Sequence, residues 1–230
     1  PPICESDASD CVVDWSSQSK TYAADAVTHE AKRLISSVRG KPLFLYYALP
    51  TPHEPLTEPP SPQYDDRLQG RRRMFGAIAA HQDAKIGSVV KSLKDNALWP
   101  STLFIVLADN GAAATGGSNW PLRGAKGGVW EGGVRTRALL SGPLVPIAVR
   151  GSSYKGLFHA SDWMPTILAV AGIPHDGDGD GVDQWAAIKG LTTPPRDEVI
   201  IHVDTSSHGM TGAIRRGRWK LLLNVKREPV

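Results

Sequence analysis

Apolar positions between Tyr22 and Val38 recur at helical spacing (Val27, Ala31, Leu34, Ile35, Val38), which predicts an amphipathic helix stopped by Gly40 and Pro42. The pattern then changes. Pro42-Leu-Phe-Leu-Tyr-Tyr-Ala-Leu49 is apolar throughout and bounded by prolines, which predicts a buried strand of a parallel sheet. Pro50 to Pro62 is too rich in proline to be helical and reads as a shaped loop. Phe75, Ile78, Ala79, Gln82, Ile86, Val89, Val90 and Leu93 mark one face of a long helix over about 72–93. A second apolar strand follows at 102–108 and ends in Asp109-Asn110-Gly111. Helix, strand, helix, strand is an α/β pattern.

Residues 111–135 are glycine-rich and too long for a simple connection, so they are expected to be a functional loop. Ser161 or Asp162 caps a further helix that Gly172 ends, with Pro165 in its first turn. Segments 198–203 and 212–223 are strand-like, the latter turning at Arg216-Gly217 into a hairpin that builds a small antiparallel sheet. The expected organisation is an irregular segment 1–20, a main α/β domain over 21–175, and a connector with a small subdomain over 176–230.

Composition excludes more than it assigns. A chain of 230 residues, 41% hydrophobic and 21% charged, folds rather than staying disordered. A net charge of +3 is too small to argue for nucleic acid, and no stretch reaches the length needed to span a bilayer. Between Trp120 and Ala160, Arg123, Lys126, Arg135, Arg137, Arg150 and Lys155 face one acid, Glu131, a bias that suits an anionic ligand or a solvated basic face about equally. Cys4 and Cys11 could close a short disulfide loop in an oxidising compartment. A chain that opens Pro-Pro-Ile-Cys is expected to be a processed or excised piece.

Leu103-Phe-Ile-Val-Leu-Ala-Asp109-Asn110-Gly111 resembles the strand and metal loop of the sulfatases. Gly116-Gly-Ser-Asn-Trp-Pro-Leu-Arg-Gly-Ala-Lys126-Gly-Gly-Val-Trp-Glu131-Gly-Gly-Val-Arg135 is similar to the matching region of the arylsulfatase B (N-acetylgalactosamine-4-sulfatase) group. Lys41 to Tyr47, Pro52-His53-Glu-Pro-Leu, His159-Ala-Ser-Asp162-Trp-Met-Pro-Thr and Ala213 to Leu222 match in order, so the resemblance covers residues 40–223.

The resemblance implies an alkaline-phosphatase-like sandwich with a central, mostly parallel sheet, incomplete in this chain, beside a small C-terminal antiparallel sheet. It makes Asp109 and Asn110 calcium ligands, His53 a histidine that touches sulfate or protonates the leaving oxygen, and Lys126 a sulfate contact. Arg123, Glu131 and Arg135 are expected in support. Trp120 and Trp130 are read as loop packing ahead of a sugar platform, and His159 with Asp162 as a helix start. Asp176-Gly-Asp178-Gly-Asp180-Gly181 lacks a glutamate at the twelfth position of a calcium loop and reads as a connector.

The family's nucleophile is a formylglycine made in a Cys/Ser-x-Pro-x-Arg motif, which these 230 residues do not contain. The expectation is therefore a C-terminal sulfatase chain, inactive alone, whose N-terminal partner chain supplies the formylglycine and the remaining calcium ligands. Together they would hydrolyse sulfated carbohydrates or aryl sulfates in a secreted or lysosomal setting. The alternative is a non-catalytic storage, defence or carbohydrate-binding protein on the same scaffold.

Overall fold

The computed structural model describes residues 21–38, 40–177, 179–206 and 209–225. Cys4 and Cys11, and with them the expected disulfide, lie outside the described residues. The chain divides into two compact units, Pro1–Asn96 and Ala97–Val230.

The first unit is built on two helices, α1 (Ala23–Ser37) and α2 (Gly70–Asp95). Helix α1 buries Ala24, Thr28, Ala31 and Ile35, a stripe at helical spacing, and packs on α2, which buries Ala77, Ile78, Val89 and Leu93. A fully buried side chain such as Ile35 contributes roughly 1.5–3 kcal/mol. A polar pin joins the same helices. Asp25 Oδ1 accepts from Lys85 Nζ at 2.5 Å and His81 Nε2 at 2.9 Å. Burial opposes the charge on Asp25, but Lys85 and His81 outweigh it and hold the carboxyl below its ordinary value.

Arg71 and Arg73 lie in the first turn of α2, where the helix dipole disfavours cations, and are matched by acids from the preceding loop. Arg71 pairs with Glu54, and Arg73 pairs with Asp66 at 3.0 Å while lying over the Tyr64 ring.

Residues 43–50 do not form the expected strand. The segment has no strand partner among the described residues, Tyr47 is bonded to Thr28 Oγ1 on α1 at 2.6 Å, and Phe44 and Tyr46 are 75% and 84% exposed. A run of apolar residues carries no information about which strand it pairs with, or in which direction.

The second unit opens with β1 (Phe104–Leu107), which pairs antiparallel with β2 (Ala138–Ser141), Phe104 opposite Ser141 and Leu107 opposite Ala138. Between them lie the glycine-rich loop and a single helical turn, α3 (Glu131–Val134). Helix α4 (Trp163–Ala171) ends at Gly172, whose φ of 69° is a left-handed cap that glycine adopts without strain. A short α5 (Trp185–Ile188) precedes a three-stranded sheet of β3 (Glu198–Ser206), β4 (Gly209–Arg216) and β5 (Trp219–Leu223), all antiparallel, with a bulge between Ile200 and His202. The hairpin turns at Gly217, as its sequence predicts. Both sheets among the described residues are antiparallel, which corrects the expectation of a central parallel sheet.

Asp162 knots this unit together. Its side chain is fully buried and paired with Arg196 (Nη2 at 2.5 Å), and it accepts from the backbone N–H of His159 and Val182 and from Gln184 Nε2, at 2.9, 2.9 and 3.0 Å. Gln184 in turn accepts from the Tyr154 hydroxyl at 2.7 Å. Burial alone would raise the Asp162 carboxyl; the Arg196 guanidinium and the converging N–H groups pull it below its ordinary value instead. His159 and Asp162 form a capping box at a 3-10 turn (Ala160–Asp162) leading into α4, as expected of a helix start.

Candidate active site

Strand β1 hands the chain to Asp109, exposed at its end, and the loop beyond is held by backbone contact so close that only glycine fits. A Cβ on Gly111 would lie 1.7 Å from the Gly132 carbonyl oxygen. One on Gly132 would lie 2.1 Å from that of Gly124, and one on Gly133 would lie 2.3 Å from that of Gly128. Helix α3 is thus the surface on which both Asp109-Asn110-Gly111 and the turn bearing Lys126 rest. Gly111 N donates to Gly133 O at 2.8 Å, Gly132 N to Arg123 O at 2.7 Å, and Lys126 N to Ala112 O at 3.1 Å.

Asn119 clamps the loop from inside. Its Oδ1 accepts from Ala112 N at 2.8 Å, and its Nδ2 donates to the carbonyls of Ala112 at 2.8 Å and Gly124 at 3.2 Å. One side-chain amide stands in for a missing backbone partner, a common use of Asn in loops. Sequence reasoning missed it, although a lone Asn in a glycine-rich loop was the available signal.

The expected site residues fall as follows. In the second unit the structure gathers Asp109, Asn110, Arg123, Lys126, Glu131 and Arg135 around α3. Arg123 lies over the Trp130 ring at 4.6 Å, so Trp130 packs the loop as expected. Trp120 does not: it is 78% exposed. Glu131 accepts from Arg215 Nη1 at 2.7 Å and Lys220 Nζ at 2.9 Å, while Arg135 stands farther off at 3.8 Å. Arg150, one of the basic set, is directed to the carbonyls of Val145 and Pro143.

His53 belongs to the first unit, exposed in its loop, with Nδ1 at 2.7 Å from the Glu54 carbonyl oxygen. A carbonyl only accepts, so Nδ1 carries the proton and Nε2 is the basic nitrogen of the neutral ring. Nearby, Thr51 Oγ1 is buried without a hydrogen-bond partner among the described residues. A cavity of about 480 Å³ beside α4, lined by Pro165, Ala169, Ile173, His175, Val182 and Asp183, contains none of the expected site residues.

Calcium takes six to eight oxygens. Among the described residues no three His, Cys, Asp or Glu side chains are grouped to hold a metal. Asp109 Oδ1 accepts the Asn110 backbone N–H at 2.8 Å, and Asn110 Nδ2 donates to Gly111 O at 2.9 Å. The residues present do not fit the expected calcium, and that expectation is corrected. Among the described residues no helix is long and apolar enough to cross a membrane.

The Sulfatase family matches residues 2–173, and the chain belongs to that family. It is 32% identical to arylsulfatase J of Mus musculus over 90% of this chain and 38% of that protein. Against arylsulfatase A of Homo sapiens the identity is 31%, over 79% and 36%. The crystal structure of Ps i-CgsB in complex with k-i-k-neocarrahexaose superposes with a TM-score of 0.74 at 29% identity, covering 88% of this chain and 46% of that one. The PsFucS1 sulfatase from Pseudoalteromonas sp. gives 0.70 at 26%, covering 88% and 40%. The chain spans less than half the length of these relatives.

The similarity extends across arylsulfatases J, A and G and an N-acetylgalactosamine-6-sulfatase, so it is to the family broadly and does not single out the arylsulfatase B group. The two-chain expectation is corrected as well. The family match covers residues 2–173, and 88% of the chain superposes on part of a single chain in each of the two sulfatase structures. With it go the expected N-terminal partner chain as carrier of the formylglycine and calcium ligands, the reading as a C-terminal piece completed by that chain, and the expected inactivity of the chain by itself.

Proposed function

We propose that the protein is a single-polypeptide hydrolase of sulfate esters, acting on sulfated carbohydrates or aryl sulfates in a secreted or lysosomal setting. The observation that carries this reading is the loop over 109–135. The densest stretch of sulfatase resemblance is also closely packed, backbone on backbone, with the exposed Lys126 on it. Packing of that kind fixes the backbone that carries the cation before substrate arrives, which favours stabilising a developing negative charge.

In this reading Lys126 meets the sulfate and offsets charge as the oxygen of an attacking water bonds to sulfur and the ester S–O bond breaks, the alcohol leaving. The resemblance gives His53 the protonation of a leaving oxygen; its Nδ1 proton is held by the Glu54 carbonyl, so Nε2 is the nitrogen that would first take up and then pass on that proton. Asp109 and Asn110 are the polar end of β1 beside the loop. Arg123, Glu131 and Arg135 support the loop. The division into a main domain over 21–175 and a C-terminal connector and subdomain over 176–230 is retained as part of this proposal. Relatives named for N-acetylgalactosamine-6-sulfate chemistry, and one solved with an oligosaccharide, favour sugar sulfates among the substrates.

The test is sulfate release from 4-nitrophenyl sulfate and from sulfated N-acetylgalactosamine oligosaccharides. Turnover is expected, with Lys126→Ala lowering kcat by about 100-fold to 1000-fold and His53→Ala by about 100-fold or more. No release from either substrate class by the wild-type protein sinks the reading.

A further inference from the structure

We infer that Arg215 and Lys220 of the C-terminal hairpin are positioning residues for the glycine-rich loop, acting through Glu131. The inference deepens the proposed function and rests on it for its catalytic consequence. Arg215 and Lys220 face each other directly across β4 and β5. Two like charges opposite one another weaken a sheet, so the sheet itself does not account for the pair. The carboxylate between them does. Glu131 Oε2 takes Arg215 at 2.7 Å, Oε1 takes Lys220 at 2.9 Å, and the Lys220 ammonium also donates to the Val129 carbonyl at 2.5 Å. The contacts span 84 to 91 residues of sequence, and Glu131 and both bases are largely withdrawn from solvent.

Glu131 is the first residue of α3, and the next two are Gly132 and Gly133. Those glycines bear on the carbonyls of Arg123, Gly124, Ala125 and Gly128, on either side of Lys126, and on Gly111 next to Asp109-Asn110. Fixing Glu131 therefore fixes the surface that both halves of the site rest on. The hairpin is a brace for the loop, and the charge pair is the point of attachment.

The experiment combines amide hydrogen exchange on the intact protein with steady-state hydrolysis of 4-nitrophenyl sulfate. In Glu131→Gln, exchange across 123–133 is expected to rise about tenfold, while α2 and the segment around Asp162 keep wild-type protection. kcat is expected to fall about tenfold, with KM changed by no more than about twofold. Lys220→Met reproduces both effects and carries the comparison if Glu131→Gln does not fold. Lys220→Arg restores both, since it keeps a cation within reach of the carboxylate. Unchanged exchange at 123–133 in the folded variants overturns the brace, and so does raised exchange with unchanged kcat. If the wild-type protein releases no sulfate, the hydrolase reading fails on its own and the exchange pattern alone decides whether the brace exists.

Discussion

Asp162 and Glu131 are both acids that receive cations from the C-terminal part of the chain, yet their surroundings set them to different work. Asp162 is fully buried and accepts from Arg196, from two backbone amides and from a glutamine. Every lone pair is used, and the elements tied together (α4, the connector and the start of β3) carry none of the proposed site. Glu131 stays partly exposed, binds side chains only, and stands one residue from the glycines that carry the loop. A saturated, dry carboxylate holds a fold. One that keeps about a quarter of its surface in solvent and is held by two flexible cations adds less to stability but selects one position for what is attached to it.

The largest expected effect tests the first half of that contrast. Asp162→Ala leaves Arg196 buried without its carboxylate and should cost about 3–5 kcal/mol in urea unfolding. Glu131→Gln should cost no more than about 1 kcal/mol, because its partners can turn to water. Equal losses in the two variants would erase the distinction between holding the fold and placing the loop.

Next in size is Gly132→Ala. Its new methyl would meet the Gly124 carbonyl at 2.1 Å and the Arg123 carbonyl at 2.7 Å, both backbone, so the loop itself must move. Overpacking of this kind costs about 1–3 kcal/mol, and kcat for an aryl sulfate should fall with it. Full turnover in a folded Gly132→Ala protein would show that α3 does not set the position of Lys126.

The sequence disclosed the parts of this picture that depend on near neighbours. Helices α1 and α2 followed from periodicity, α4 from its capping residues, Pro165 and Gly172, and the hairpin from Arg216-Gly217. Glycine density marked out 111–135, whose glycines the structure packs backbone on backbone. What sequence could not disclose depends on direction or distance. Pro42 to Leu49 and 102–108 are equally apolar whether their partners run parallel, antiparallel or are absent, and the parallel reading was the one that failed. Arg196 is 34 residues from Asp162, and Lys220 is 89 from Glu131, separations at which no local pattern connects them. Trp120 and Trp130 occupy similar glycine-rich settings, yet one packs under Arg123 and the other faces solvent.

Acid titration sharpens the contrast further. The folded Asp162 carboxyl lies below its ordinary value, so between the two values the unfolded chain binds more protons. The stabilisation is fully present above the usual carboxylate range, near pH 4, and is lost as pH falls through that range toward the folded value. Asp25, held down by Lys85 and His81, adds a contribution of the same sign in the first unit. The stability advantage of the wild-type protein over Asp162→Asn should therefore be constant above about pH 5 and shrink below about pH 4. An advantage that persists unchanged at lower pH would mean that packing, and not charge, is what Asp162 contributes.

The smallest effect carries the opposite sign and asks what a glycine is for. Gly87 sits inside α2, at an ordinary helical φ, with no atom of the described residues within 4 Å of where a Cβ would stand. It serves no close approach and costs the helix conformational entropy on folding. Gly87→Ala should stabilise the protein by about 0.4–1 kcal/mol, through fewer unfolded conformations and a better helix former. Because the substitution lies in the first unit, the exchange rates of 123–133 should not change. A gain at 87 beside a loss at 132 would divide the glycines by the space around them: those in the loop are there because a carbonyl already occupies the position of the methyl, and the one in the helix is replaceable. A loss at Gly87 would instead mean that this face of α2 bears on something, and that the glycine is kept for contact there as well.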